Sequence, residues 1–355
     1  MWACLDKVKE GLNLLRHYID GLDQEDRLLG VNCDACGEAG PLLKEFQEHF
    51  RSKNNKAQYD YNTIIVSLYG YLERYIEDLI GEHLDQLSSL VSQFVDLPHS
   101  IQKNHLMLSL DLTRRADYQR YASSVKADDI IAKLHSCFTT PSQYQLNVQA
   151  FAQHAANFRQ AVVNETFAQC GITDIPQSLR QAEPFISFLK DEDPERDLGT
   201  YLGRDDEVVF SRLNDLAIRR NDVAHGSPVD DILSREILRT YVDFIGAYAD
   251  GLALVVYERT LPSMLTRAFP LGSPISVYDN RVVCVDFPSG QIAVGDTLIA
   301  KTQDRSRPFK GGCIKEIQQD HISLNTANGG PGVKIGILVE FGAKQNQDFY
   351  YFKAT

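Results

Sequence analysis

The sequence predicts an α+β protein in which a large all-α helical domain precedes a small β-barrel. Two observations predict this order. Apolar residues recur at helical spacing up to about residue 262, and β-branched residues, glycines and turn signals follow one another at short intervals from about residue 270. The 355 residues, 43% of them hydrophobic, suffice for two cores. We expect an N-terminal helical extension over 1–55, a helical domain over 56–262 and a barrel over 270–355.

Helical periodicity predicts the elements of the first part in order. Helices are expected over residues 3–21, 42–50 and 61–95, the last being the longest and ending before Pro98. The remaining predicted helices cover residues 99–112, 126–136, 143–169, 179–189, 208–225 and 232–261. The polar stretches 22–40 and 191–197 are predicted to be loops.

Turn signals divide residues 270–355 into six or seven short strands, which favours a small closed barrel. A hairpin is expected around Asp279 and Asn280. A Gly-Asp turn and a later Ile-Gly strand resemble the second-domain β-barrel of translation GTPases, through Gly295, Asp296, Leu298, Ile335, Gly336 and Ile337. This resemblance implies a docking surface for a partner protein or for folded RNA.

The run from Arg220 to Gly226, at the end of a predicted amphipathic helix, is the most informative segment. On that helix Arg220 falls in the middle of the apolar face. Burying an unpaired guanidinium is costly, so Arg220 should meet an anion or line a cleft. Asn221 and His225 are four residues apart, close enough for the amide to orient the imidazole. Gly226 fits a left-handed C-cap, and Pro228 prevents simple continuation of the helix.

The spacing between Arg220 and His225 indicates how a site would be assembled. Side chains five residues apart diverge by about 140° on an ideal helix, so one helix cannot direct both to the same atom. A second surface is needed, either another helix or the same helix of a second subunit. The alternative interpretation is a surface arginine, a capping histidine and a glycine that ends the helix.

The segment resembles the R-x4-6-H motif of the HEPN superfamily, a group of all-helical domains that includes many metal-independent endoribonucleases. Its pattern L-x-x-L-x-x-x-R-N-x-x-A-H-G is carried by Leu213, Leu216, Arg220, Asn221, Ala224, His225 and Gly226. Residues 64–84 resemble the early HEPN helix that carries an aromatic residue and a glutamate, here Tyr71 and Glu73. The likeness covers about residues 60–260 and points to the MAE-type and RiboL-PSP-type branches of bacterial conflict systems.

The resemblance implies RNA cleavage by attack of a 2′-OH on the adjacent phosphorus, at a site shared by two subunits of a homodimer. His225 would act as base or acid, Arg220 would stabilise the phosphorane, and Asn221 would hold the imidazole or contact the sugar. Glu73 would either aim Arg220 or be an ordinary surface glutamate. Asp222 would be a lesser supporting residue or simply solvated.

The expected enzyme is therefore a toxin-like or antiviral endoribonuclease that acts on RNA such as tRNA or mRNA. It would need no cofactor and no metal, and an antitoxin or activator protein is a further candidate partner. Two other functions stay open: a non-catalytic HEPN interaction module whose barrel binds a protein or RNA, and a nucleotidyltransferase-associated domain in which Arg220 contacts a phosphate. The presence of both Arg220 and His225 favours the nuclease, because non-catalytic HEPN domains usually lose one of them.

Composition restricts the remaining classes of function. The net charge of −12 argues against broad, sequence-independent coating of nucleic acid, but it allows a local basic cleft. No apolar run reaches the roughly 18 residues of a membrane span, and the N-terminus does not resemble a signal peptide. Seven scattered cysteines suit a reducing cytoplasm. The isolated pair Cys33 and Cys36 is expected to be two loop thiols, because a zinc site needs a second ligand pair.

Overall fold

The computed structural model describes residues 3–31, 37, 39–50, 53–115, 126–153, 156–226 and 231–354. Cys33, Cys36 and Pro228, which were expected to be loop thiols and a helix stop, lie outside these residues. The described residues form a helical part followed by an antiparallel β part, which confirms the predicted α+β class. Residues 1–84, 98–140 and 144–254 form one compact unit, and residues 85–97, 141–143 and 255–355 form a second. The domain boundaries given above stay a prediction.

The described helical part contains thirteen α-helices and two short 3-10 turns, Phe94–Asp96 and Pro141–Gln143. The helices are α1 (Ala3–Leu29), α2 (Ala39–His49), α3 (Lys53–Leu90), α4 (His99–Arg115), α5 (Ala127–Thr139), α6 (Val148–Phe151), α7 (Gln160–Gln169), α8 (Ile175–Leu179), α9 (Glu183–Glu192), α10 (Leu198–Leu202), α11 (Asp206–Val209), α12 (Ser211–Ala224) and α13 (Arg235–Leu265). None of these helices is both long and apolar enough to cross a membrane.

The long helices α3 and α13 supply much of the core of the first unit. The buried Tyr75 hydroxyl of α3 donates a hydrogen bond of 2.7 Å to the Ala249 carbonyl of α13, so its polar atom is satisfied. Beside them an aromatic cluster joins α9, α12 and α13, with ring centroids 5.7 to 6.3 Å apart; its members are Phe185, Phe210, Phe244 and Tyr248. Phe210 immediately precedes α12, so this cluster fixes the start of the helix that carries the Arg-Asn motif.

The helix expected over 61–95 begins earlier, at Lys53, and ends at Leu90. Three further predicted helical boundaries are wrong for identifiable reasons. The helix expected over 208–225 is interrupted at Phe210, whose backbone leaves the helical region (φ −107°, ψ 24°) while its ring enters the aromatic cluster. The loop expected over 22–40 begins late, because α1 continues to Leu29 with Leu22 buried. The helix expected over 179–189 begins late as well, at Glu183, with a proline in its first turn.

The long helix expected over residues 143–169 is also wrong, because among the described residues of this range only those of α6 and α7 are α-helical. The intervening backbone bonds to other elements. The Phe158 N–H donates to the Tyr69 hydroxyl at 2.9 Å, and the Gln160 N–H donates to the Asn214 side-chain oxygen at 2.9 Å. Phe158 is fully buried. These tertiary contacts outweigh the helix propensity of the Ala- and Gln-rich sequence.

Eleven described strands make up the β part: β1 (Phe269–Gly272), β2 (Ser276–Tyr278), β3 (Val282–Asp286), β4 (Gln291–Ala293), β5 (Thr297–Lys301), β6 (Phe309–Cys313), β7 (Glu316–Gln319), β8 (Ile322–Leu324), β9 (Thr326–Asn328), β10 (Lys334–Leu338) and β11 (Asp348–Phe352). They pair in three antiparallel sheets of order β1-β11-β5-β6, β2-β3-β10-β7-β8 and β4-β9. The sheets share one hydrophobic core.

The predicted number of six or seven strands is too low, because the described β part has eleven, four of them only three residues long. The local signals at two of its turns agree with the structure. Asp279 and Asn280 have φ values of 50° and 55° and join β2 to β3, which confirms the predicted hairpin. Gly295 has a φ of 95°, and the buried Asp296 carboxylate accepts the backbone N–H groups of Ala293 and Ala354, both at 2.9 Å. The closed barrel and its likeness to translation GTPases stay predictions.

A buried histidine joins α4, α5 and the segment before α6. His105 Nε2 accepts the Asn147 N–H at 2.9 Å, and its Nδ1 lies 3.7 Å from the Cys137 Sγ. The Asn147 amide donates to the Ser109 hydroxyl and the Ile130 carbonyl, both at 3.0 Å. Burial lowers the pKa of His105 to about 4 and raises the pKa of Cys137. Both groups are therefore neutral near pH 7, and the arrangement is structural, not a thiolate nucleophile.

We expect the free energy of unfolding to fall as the pH drops from 6.5 to 4. His105 gains its proton near 6.5 in the unfolded chain but only near 4 in the folded one, so protons favour unfolding within this window. The contribution of neutral His105 to the free energy of unfolding is fully present above pH 6.5. By pH 4 about 3 kcal/mol of it is lost. Urea unfolding at several pH values measures this loss. Burial lowers the pKa of His83 to about 4 as well, so His83 adds a loss of the same sign. His105→Gln keeps an acceptor without titrating and should make the curve less steep by removing the His105 part; an equally steep curve in that variant would contradict the assignment.

Candidate functional site

The motif residues lie on the last turns of α12. His225 is the C-cap residue, and its backbone N–H donates to the Asn221 carbonyl at 2.9 Å. Gly226 follows with a φ of 66°, and its N–H donates to the Val223 carbonyl at 3.2 Å. This geometry confirms the predicted left-handed cap. It leaves the His225 side chain exposed at the end of the helix.

The Arg220 guanidinium is half-buried and contacts two neutral groups. Its central carbon lies 5.1 Å from the centre of the Tyr69 ring, a cation–π distance. Its Nη1 donates to the Asn157 Oδ1 at 3.3 Å. The helical pattern directs Arg220 toward the interior. An aromatic face and an amide oxygen there offset the cost of burying its charge.

Asn157 connects Arg220 to Asn221. The Asn157 Nδ2 donates to the Asn221 Oδ1 at 2.6 Å and to the Ala217 carbonyl at 3.3 Å. Asn157 lies in the non-helical residues 156–159 before α7, which the Tyr69 hydroxyl holds through the next residue along the chain. Tyr69 therefore fixes both sides of the contact: its ring faces the guanidinium, and its oxygen anchors the segment that carries the amide.

Tyr69 of α3 contacts the motif through Arg220. Burial raises its pKa to about 12 despite the hydrogen bond from Phe158, with Glu73 raising it further and Arg220 opposing that rise. The phenol is thus protonated at neutral pH, and both charged side chains act on it. Glu73 is half-buried one turn further along α3. Tyr71 instead packs on α1, where a Cβ at Gly11 would come within 2.6 Å of its ring.

The neighbouring Arg219 has a structural task. Its Nε donates to the Asp215 carboxylate at 2.6 Å, and its Nη1 donates to the Tyr61 hydroxyl at 3.0 Å and to the Asp231 carbonyl at 2.9 Å. Arg219 thereby ties α12 to α3 and to the chain that leaves the motif. The two adjacent arginines thus differ in role: Arg219 anchors the helix, and Arg220 is a cation beside the cleft. Asp222 is exposed, and its supporting role stays a prediction, as do the roles of the other motif residues.

Asn157 and Asn221 line a cleft of about 380 Å³, together with Ala156, Arg159 and Val162. The sequence prediction included Asn221 and missed Asn157 and Arg159, because their segment has a helical composition. It also missed Tyr69, for which a signal exists: it lies four residues before Glu73, on the same side of α3. Within the described residues, no group of three or more His, Cys, Asp or Glu side chains is arranged to hold a metal ion.

The motif helix lies inside a region that matches a known family. Residues 41–257 match the family model described as RiboL-PSP-HEPN. This range runs from α2 into α13, and it contains Tyr69, Asn157 and all of α12. No curated protein matches the chain.

Gly226→Ala is expected to lower the free energy of unfolding by about 1 kcal/mol, because alanine adopts the left-handed backbone only with strain. A Cβ at this position would meet no atom within 4 Å, so the effect is conformational. Gly21→Ala in α1 is the matched control, since its Cβ would also meet no atom within 4 Å and its backbone is helical. The control should be neutral or stabilising in urea unfolding; equal destabilisation by both changes would contradict the strained cap.

Proposed function

The chain belongs to the RiboL-PSP-HEPN family, and on that premise we propose that it is a metal-independent endoribonuclease of the toxin-like or antiviral kind, acting as a homodimer. The observation that carries the proposal is the joint attachment of Arg220 and Asn221 to Asn157 beside an open cleft. The exposed His225 imidazole follows one turn further along the same helix.

These residue types match the needs of RNA transesterification. The 2′-oxygen attacks the adjacent phosphorus while a base removes its proton, and an acid protonates the departing 5′-oxygen. The products are a 2′,3′-cyclic phosphate and a 5′-hydroxyl, so no water is consumed in this step. His225 supplies an imidazole, the side chain that most often serves as such a base or acid. The Arg220 guanidinium offers a permanent charge and paired N–H donors for the phosphorane oxygens.

A second subunit would complete this site. The side chain of Arg220 lies against Tyr69 and Asn157, whereas His225 projects from the end of α12 with its side chain exposed. The two side chains therefore leave the same helix in different directions, and the cation and the imidazole do not point to one place. In a two-fold dimer that joins the ends of two α12 helices, one His225 would act as base and its mate as acid. The two Arg220 side chains would flank the same phosphate.

His225→Ala and Arg220→Ala are each expected to reduce RNA cleavage at least about a hundredfold, because they remove proton transfer and phosphorane stabilisation. The measurement is cleavage of total RNA and of tRNA by the full chain in EDTA. The His225 side chain is exposed, so its removal should change the free energy of unfolding by less than about 0.5 kcal/mol.

Arg204→Gln serves as the matched control for lost positive charge, because Arg204 is exposed and precedes the opposite end of α12. It should cleave like the unmodified protein. Full cleavage by a folded His225→Ala or Arg220→Ala variant would overturn the assignment of the site. Intact RNA with the unmodified protein would instead support the non-catalytic interaction module.

A further inference from the structure

The cleft beside α12 contains a cation outside the R-x4-6-H motif. Arg159 lines the cleft together with Asn157 and Asn221, and its side chain is exposed. Among the described residues, no carboxylate lies within ion-pairing distance of the Arg159 guanidinium, in contrast to Arg219. The charge of Arg159 is therefore available to a ligand in the cleft.

Hydrogen bonds hold the backbone around Arg159, and its side chain is exposed. Arg159 is the N-cap residue of α7, with φ −91° and ψ 166°, and its carbonyl accepts the Val163 N–H at 3.0 Å. Its own N–H donates to the Asn157 carbonyl at 2.8 Å. The Arg159 side chain thus extends from a backbone that is hydrogen-bonded to Asn157, the residue whose amide also contacts Arg220.

The lining of the cleft suits one nucleotide of a single-stranded RNA. A guanidinium pairs with phosphate oxygens through two parallel N–H donors. The Asn221 Oδ1 is occupied by Asn157, which leaves the Asn221 amide nitrogen to donate to a sugar or base oxygen. Ala156 and Val162 supply an apolar wall for a ribose or base face.

The cleft also has room to continue along the strand. Ala156 and Val162 line a neighbouring cleft of about 270 Å³, whose other residues include Arg115, Gln153 and the carboxylates Asp111 and Glu165. The two clefts share this wall, so a strand that leaves the first meets the second. A chain of nucleotides therefore fits the shape better than a single free nucleotide.

Resting on the function proposed above, we propose that this cleft binds the nucleotide next to the scissile phosphate, with Arg159 contacting the phosphate of that nucleotide. Asn157 places the two phosphate sites side by side, because it lines the cleft and also contacts Arg220. Arg159 is thus a substrate-binding residue that the motif does not include.

The test measures RNA binding without cleavage, in the full chain carrying His225→Ala. A short fluorescein-labelled single-stranded RNA of mixed sequence is titrated by fluorescence anisotropy at several salt concentrations. Adding Arg159→Gln should weaken binding about tenfold and lower the slope of log affinity against log salt by about 0.7, the value for one lost phosphate contact. Arg159→Lys should keep the slope and recover part of the affinity, because it restores the charge without the paired donors.

Arg204→Gln in the same His225→Ala background is the matched control and should leave both affinity and slope unchanged. Unaltered affinity and slope in Arg159→Gln would overturn the binding site, as would failure of the parent protein to bind the RNA. Failure of the site is distinguishable from failure of the enzyme. If the unmodified protein cleaves RNA but binding does not depend on Arg159, the nuclease proposal is retained and the binding site is rejected. If binding depends on Arg159 but no RNA is cleaved, the site is retained as an RNA-binding cleft and the nuclease proposal is rejected.

Discussion

The candidate site depends on how the protein accommodates one guanidinium on the inward side of an amphipathic helix. Arg220 cannot be buried there without compensation, because an unsatisfied cation costs several kcal/mol. The Tyr69 ring and the Asn157 amide provide that compensation with neutral groups. Each group comes from a different part of the chain, α3 in one case and the segment before α7 in the other. Holding Arg220 therefore brings these elements together at the end of α12.

Neighbouring residues of α12 have different roles, some in anchoring the helix and others in lining or flanking the cleft. Arg219 is fully engaged with Asp215, Tyr61 and Asp231, so it secures the helix and the chain that follows it. Arg220 and Asn221 share the Asn157 amide, and His225 ends the helix with its side chain in solvent. In our proposal the motif of one helix supplies only part of a phosphate site, and the same helix of a second subunit supplies the rest.

Local patterns predicted the features that local physics decides. The inward placement of Arg220, the left-handed Gly226 and the hairpin at Asp279 follow from helical periodicity and turn chemistry, and the structure contains all three. The conformation of the segment from Asn157 to Gln160 could not be predicted from the sequence, because it depends on hydrogen bonds to partners 89 and 54 residues away. Composition alone favours a helix there, and the bonds to Tyr69 and Asn214 override it. Asn157 and Arg159, two of the five residues that line the candidate cleft, are thus placed by contacts that no sequence period encodes.

The most direct measurement is the cleavage activity of a purified heterodimer with one unmodified subunit and one His225→Ala subunit, carrying different affinity tags. A site that uses both imidazoles predicts a loss of at least about a hundredfold, because each phosphate would lack either its base or its acid. A heterodimer of unmodified and Arg204→Gln subunits, prepared in the same way, should keep full activity. Half of the full activity in the His225→Ala heterodimer would contradict the shared site, since each subunit would then work alone.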